Sequence, residues 1–263
     1  MTRISLLTAC FVPMVCLAAA SPSLAQAKLS AAQIVDMNLA AHGGPAAWRS
    51  VQTLTMEGTM DAGGKDDHEL PFVMRLKRAH KSRLEITFNS QTAIQVYDGT
   101  QGWKMRPFLN RNEVEPFTKA EANAAAATDE LDGPLLDFGA KGTKVALVGA
   151  DAVEGHAAYK LKLTLRNGEQ RNLWVDAGNF LELKAEGEPR MLDGKLHGVA
   201  VYYRDYQTDH GLVTARTLET VVEGVKQTHK IKVSRLAVNE ALSDSLFEKP
   251  QLSASSAPGP KTL

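Results

Sequence analysis

From residue 51 onward the chain runs in short stretches of alternating apolar and polar residues, and this period of two constrains its fold more than any other feature. Leu54 and Met56 alternate with Thr53, Thr55 and Glu57. Leu70, Phe72, Met74 and Leu76 alternate with Pro71, Val73, Arg75 and Lys77, and Leu84, Ile86 and Phe88 with Arg83, Glu85 and Thr87. Successive strand residues point to opposite sides, so each run reads as a strand with one buried face. Turn pairs stand between the runs: Asn89-Ser90, Asp98-Gly99, Asn167-Gly168, Gly178-Asn179 and Asp193-Gly194. Loops of two residues cannot carry the crossover that parallel strands need, so the sheet is mostly antiparallel and neighbours in sequence are neighbours in space. With the runs at 159–165, 173–175, 181–185, 199–206, 212–222 and 230–238, the pattern gives about eleven strands.

Two segments depart from it. Ser30 and Gln33 fit a capping box that opens a helix with Ile34, Val35, Met37 and Leu39 on its apolar side, ending near Ala41 where Gly43 and Gly44 follow. His42 then sits at the favourable end of the helix dipole or caps a carbonyl. Pro45 starts a short turn or helical segment, and Trp48 is placed to pack that connection against the sheet. The second segment, 118–131, opens on Thr118 and Glu121, another capping box, and continues as the alanine-rich "EANAAAATDEL". It reads either as a crossover helix on the sheet edge or as a movable lid.

The N-terminus has the form of a secretory signal: Arg3, a largely apolar stretch from Ile4 to Ala20, and Ala25-Gln26-Ala27 as a small-x-small cleavage site. This predicts a cleaved signal peptide over 1–27, a single domain over 28–250 and a disordered tail over 251–263, in an exported, periplasmic protein. Cys10 and Cys16 both fall in the removed segment, so the exported chain holds no disulfide and relies on its core. The 30 basic and 30 acidic residues balance, and no basic run favours nucleic acid.

Reactive constellations are scarce. His42-Gly43-Gly44 has the look of an oxyanion-hole loop, yet no serine sits in the Gly-x-Ser-x-Gly setting it would serve, and the glycines follow a helix rather than a strand. Asp66-Asp67-His68-Glu69 gathers possible metal ligands, but adjacent side chains diverge and no second histidine has zinc spacing. The stretch 75–83, "RLKRAHKSR", reads as the charged outer side of two strands and their turn. We therefore expect no catalytic residue, metal or cofactor.

What accumulates instead is a soft apolar face: Leu54, Met56, Phe72, Met74, Leu84, Ile86, Phe88, Ile94, Val96 and Trp103. Methionine adapts to a flexible apolar guest, while an ordinary packed core explains the same residues without any ligand. A large sheet with two helices must close, pair with a second sheet or leave a hollow that something covers.

Several stretches resemble a known family. "AAHGGPAAWRSVQTLTMEGTM", "PFVMRLKRAHKSRLEITFNSQTAIQVYDGTQGW", "LWVDAGNFLELKAEG", "YYRDYQTDHGLVTARTLE" and "SDSLFEKP" are similar to the bacterial outer-membrane lipoprotein-sorting proteins, relatives of the LolA-like periplasmic lipoprotein carrier. The most specific signature residues are His42, Gly43, Gly44 and Trp48, with Asp98 and Gly99 ahead of Trp103. The resemblance implies a mainly β fold, an incomplete antiparallel barrel whose concave side is covered by helices. It also implies a lipid-binding transport or chaperone role without catalysis: a monomer that holds lipoprotein acyl chains or another lipid-like ligand and passes it to a membrane-bound handover partner. An enzyme using the same cavity, or a structural module with a filled core, are the alternatives.

Overall fold

The computed structural model describes residues 29–61, 68–128 and 131–251. The expected signal peptide, residues 252–263 of the expected tail and Asp66-Asp67 lie outside the described residues.

The chain opens with α1 (Ala31–Ala41) and α2 (Pro45–Ser50). The capping box forms as the sequence predicts: Ser30 Oγ accepts from the Gln33 amide, and Gln33 Oε1 accepts from the Ser30 amide. Six strands follow: β1 (Thr53–Asp61), β2 (Glu69–Lys77), β3 (Lys81–Phe88), β4 (Gln91–Tyr97), β5 (Gly102–Arg106) and β6 (Arg111–Pro116). Then come α3 (Lys119–Thr128), a run of turns over 131–142, and β7 (Lys144–Val153), β8 (His156–Thr164), β9 (Gln170–Asp176) and β10 (Glu182–Glu186). A small hairpin, β11 (Arg190–Leu192) and β12 (Lys195–His197), precedes β13 (Val199–Asp209), β14 (Leu212–Val222) and β15 (His229–Val238).

Thirteen strands form one antiparallel sheet in the order β6-β5-β4-β3-β2-β1-β15-β14-β13-β10-β9-β8-β7. With the separate β11–β12 hairpin the described residues form fifteen strands; the sequence pattern gives fewer because β6 and the three-residue strands β11 and β12 lack a clear alternation. The first strand pairs with the last, β1 with β15, so both halves of the chain meet mid-sheet and its two free edges are β6 and β7. The sheet is not closed among the described residues. It is an incomplete barrel, and α3 with the turns after it connects one edge to the other.

The cover lies on one side of this sheet. α1 sets Ile34 and Val35 against Leu161, Leu163, Leu173 and Val175 of β8 and β9, with Leu135 of the connecting turns. α2 and the residues after it set Trp48 and Val51 against Leu54, Leu76, Leu212 and Leu236, with Leu131. Burying these apolar surfaces drives the association of helix and sheet. The junction of α1 and α2 is tight: Gly43 adopts φ +100, and a Cβ there would stand 2.1 Å from the Gly211 carbonyl oxygen.

Hairpin chemistry follows the sequence. Asn89-Ser90 and Asp193-Gly194 place both turn residues at positive φ, the geometry that matches strand twist in two-residue loops. Asp98 closes its loop by accepting the Thr100 and Gln101 amides on Oδ1, each at 2.7 Å. α3 begins on the expected capping box, with Thr118 Oγ1 accepting from the Glu121 amide and Glu121 accepting from Thr118. Glu121 also pairs with Lys104 of β5, which fastens the helix near the sheet edge. No helix among the described residues is long and apolar enough to cross a membrane.

Candidate functional site

Cross-strand registry sorts the apolar candidates onto two sides of the sheet. Leu54 faces Leu76 and Met56 faces Met74 across β1 and β2, while Met74 faces Leu84 and Phe72 faces Ile86 across β2 and β3. Directly paired residues project on the same side. It is the side where Leu54 and Leu76 pack beneath Trp48 and Val51.

Ile94, Val96 and Trp103 do not share it. Ile94 faces Glu85, and Val96 faces Arg83 and Trp103. These three belong to the opposite side, which corrects the single apolar face expected from the sequence. The cause is the two-residue Asn89-Ser90 turn: it sets Phe88 against Gln91, so Ala93, Gln95 and Tyr97 follow onto the helix-covered side. The C-terminal turn serves the opposite side. Arg83 Nη1 donates to the Leu246 carbonyl at 2.9 Å, Lys77 and Lys81 hold Asp244 at 3.1 and 2.8 Å, and Val96 and Phe247 are each 1% exposed.

Along the helix-covered side, burial changes from one row to the next. Leu54 and Leu76, close to α2, are buried, and so is Phe72, whereas Met56, Met74, Leu84, Ile86 and Phe88 are only partly covered. At the far end Phe88 meets Phe108 edge-on with ring centroids 6.0 Å apart, and His68 stands 6.5 Å away. An apolar patch of this kind, partly open to solvent beside a packed core, suits a guest that is itself apolar.

The His42 signature has a different geometry from the one expected. Its ring does not cap the carbonyls of α1 but reaches two strands distant in sequence. Nδ1 lies 2.7 Å from the Val213 carbonyl, which can only accept, so Nδ1 carries a proton; Nε2 lies 2.5 Å from Glu182 Oε2. Burial alone would lower the His42 pKa, but the hydrogen bond to Glu182 and its charge override this and raise it. Burial likewise opposes ionisation of Glu182, and the bond and charge of His42 prevail and lower its pKa. Both shifts favour the imidazolium–carboxylate form of the pair.

Further donors complete the carboxylate. Asn38 Nδ2 donates to Glu182 Oε1 at 3.0 Å and the Tyr206 hydroxyl to Oε2 at 3.1 Å. Burial, helped by the Glu182 charge, pushes the Tyr203 phenol up to about 12 and raises Tyr206 as well. Trp48 Nε1 donates to the His42 carbonyl at 2.9 Å, which ties α2 to the same junction. Both imidazole nitrogens are engaged, so His42 acts as a clasp between α1, β10 and β14. Of the acidic stretch, Glu69 pairs with Lys232 and accepts from Thr59. Among the described residues no group of three or more His, Cys, Asp or Glu side chains stands close enough to hold a metal ion.

No protein-family model matches the chain, and no curated protein matches it. Solved structures do. A DUF1329 family protein from Desulfovibrio piger ATCC 29098 is 16% identical with a TM-score of 0.57, over 83% of this chain and 97% of that one. A LolA superfamily protein from Nitrosomonas europaea is 16% identical with a TM-score of 0.56, over 84% of this chain and 99% of that one. An outer membrane lipoprotein-sorting protein domain from Vibrio parahaemolyticus is 13% identical with a TM-score of 0.56, over 82% of this chain and 95% of that one. The chain has the LolA-like fold. At these identities the likeness is one of architecture, and within this LolA-like frame the candidate site is the partly covered apolar surface between β1 and β3 beside the clasped helices.

Proposed function

We propose that the protein is a periplasmic carrier that holds a lipid-like apolar ligand, such as a lipoprotein acyl chain, against the helix-covered side of its incomplete barrel. The observation that carries this reading is the group Met56, Met74, Leu84 and Ile86: apolar, on the side of the helices, and only partly covered. In support stand the LolA-like fold and the lipoprotein-sorting and LolA names of two structural neighbours. The driving force is burial: at about 0.8 kcal/mol per methylene, a chain of about sixteen carbons gains roughly 10 kcal/mol before the costs of binding.

On this reading the chain is not an enzyme, and the His42–Glu182 pair serves to hold α1 to the sheet. Residues 1–27 are a cleaved export signal, 28–250 act as one monomeric domain, and a membrane-bound partner with a comparable apolar site takes the ligand. Mass spectrometry of the protein purified without detergent tests this. Co-purifying lipid is expected, and a lipid-free protein that also takes up no apolar fluorophore overturns it.

A further inference from the structure

On the helix-covered side, β14 interrupts its apolar residues at two successive positions. Leu212 packs beneath α2, and Leu218 faces Tyr203 and Ile231; strand alternation puts Thr214 and Arg216 on the same side between them. Arg216 is 6% exposed. Its Nη2 donates to Asp209, but among the described residues Nε and Nη1 meet no acceptor, and the buried hydroxyl of Thr214 has no partner either. Buried donors are paired almost without exception, and leaving charged ones unpaired is costly. Three unpartnered donor atoms on two residues two positions apart in β14 therefore call for an acceptor.

Registry fixes where that acceptor lies. The β14–β15 pairing ends at Thr217–Lys232; continued one step beyond that end, it sets Arg216 toward Val233, which faces Gly58, which faces Phe72, which faces Ile86. The guanidinium thus stands at the end of the cross-strand row that holds the apolar floor, with the buried Val233 beside it and Gly58 leaving no side chain between Val233 and Phe72. A ligand lying along Phe72 and Ile86 and continuing over Gly58 and Val233 extends toward Arg216.

Charge selects the class of that end. Arg216 is already balanced by Asp209, and His42, at the junction of α1 with β14, is paired with Glu182. A carboxylate or phosphate would leave the covered side with an uncompensated negative charge, whereas an ester or amide carbonyl oxygen satisfies the donors and adds none. We infer that Thr214 and Arg216 form a polar subsite that accepts the uncharged carbonyl of an acyl ester whose chain lies along the Phe72 and Ile86 row. This rests on the carrier reading.

The test uses three fluorescent probes on the mature chain: N-phenyl-1-naphthylamine, which has no carbonyl, cis-parinaric acid, and its methyl ester. The ester should bind about tenfold more tightly than the ionised acid, and Arg216→Met and Thr214→Val should each weaken the ester several-fold to about tenfold while leaving the naphthylamine unchanged. Thr214→Val keeps the side-chain shape and carries the test if Arg216→Met fails to fold. Ester affinity unchanged in the variants, with the naphthylamine still bound, overturns the subsite and leaves the carrier reading standing. Preference for the acid overturns the uncharged head. Binding of none of the three to the unaltered protein overturns the carrier reading and this inference with it.

Discussion

The imidazole of His42, at the end of α1, meets the carboxylate of Glu182 in β10 at 2.5 Å across 140 residues of chain. The pair joins the helical cover to the sheet, and removing one member strands the other in a largely buried site. His42→Ala and Glu182→Ala are each expected to cost about 3 kcal/mol. The double variant should cost much less than their sum, because each single change already breaks the same interaction. Urea unfolding of the four proteins measures the coupling; strict additivity would show that the clasp is not one unit.

The same pair sets a pH window for stability. The His42 pKa is raised above 6.5 in the folded chain, so its contribution is complete below about pH 6.5 and is lost as pH rises through the folded value. The Glu182 pKa is lowered below 4.5, so its contribution is present above about pH 4.5 and is lost as pH falls through the folded value. The clasp therefore stabilises most between about pH 4.5 and 6.5. Melting temperature followed from pH 5 to 9 should fall on the alkaline side for the native sequence and stay flatter in His42→Gln. Parallel profiles would remove His42 as the cause.

Gly43 is a third point at which the cover is set. Its φ of +100 suits glycine, and a Cβ would come within 2.1 Å of the Gly211 backbone oxygen, which cannot swing aside as a flexible side chain does. Gly43→Ala should destabilise by about 3 kcal/mol or more. Gly44→Ala, at φ +92 and ψ 155 but with open space around it, carries the backbone strain without the clash and should cost less, about 1–2 kcal/mol. Comparable losses from the two would mean that the close approach to Gly211 is not what matters.

Much of this architecture is legible in the sequence, and the parts that are not have a common cause. Capping boxes, turn dipeptides and alternation are local, so α1, α3 and most strands can be read directly. Glu182 is hidden because alternation with Leu181 and Leu183 points it outward. A register shift between Glu182 and Lys184 reverses this: Glu182 faces Val175, part of the core under α1, while Leu183 packs against the cluster around Trp174 on the other side. Ile94 and Val96 mislead in the opposite way. They alternate cleanly, but the side they occupy depends on the hairpin before them, and counting across Asn89-Ser90 from Phe88 would have placed them correctly. Arg216 gives no local signal, since its burial and its pairing with Asp209 of β13 are set by tertiary structure.

The two sides of the sheet also separate binding from stability. Met74 and Ile86 are partly covered residues of the helix side, so Met74→Gln and Ile86→Gln place an amide where a ligand chain would lie while water still reaches it. Their cost to folding should stay near 1 kcal/mol, and their effect on uptake of N-phenyl-1-naphthylamine should be about tenfold or more, since an amide within an apolar contact has no partner. Val96 lies on the other side and is 1% exposed. Val96→Ala removes buried methyls and should lower the melting temperature without changing probe affinity in the fraction that remains folded. Fluorescence titration beside thermal unfolding distinguishes these patterns. If the glutamine variants bind as the native chain does, the ligand does not lie along the β2 and β3 surface, and the site must be sought on another part of the sheet.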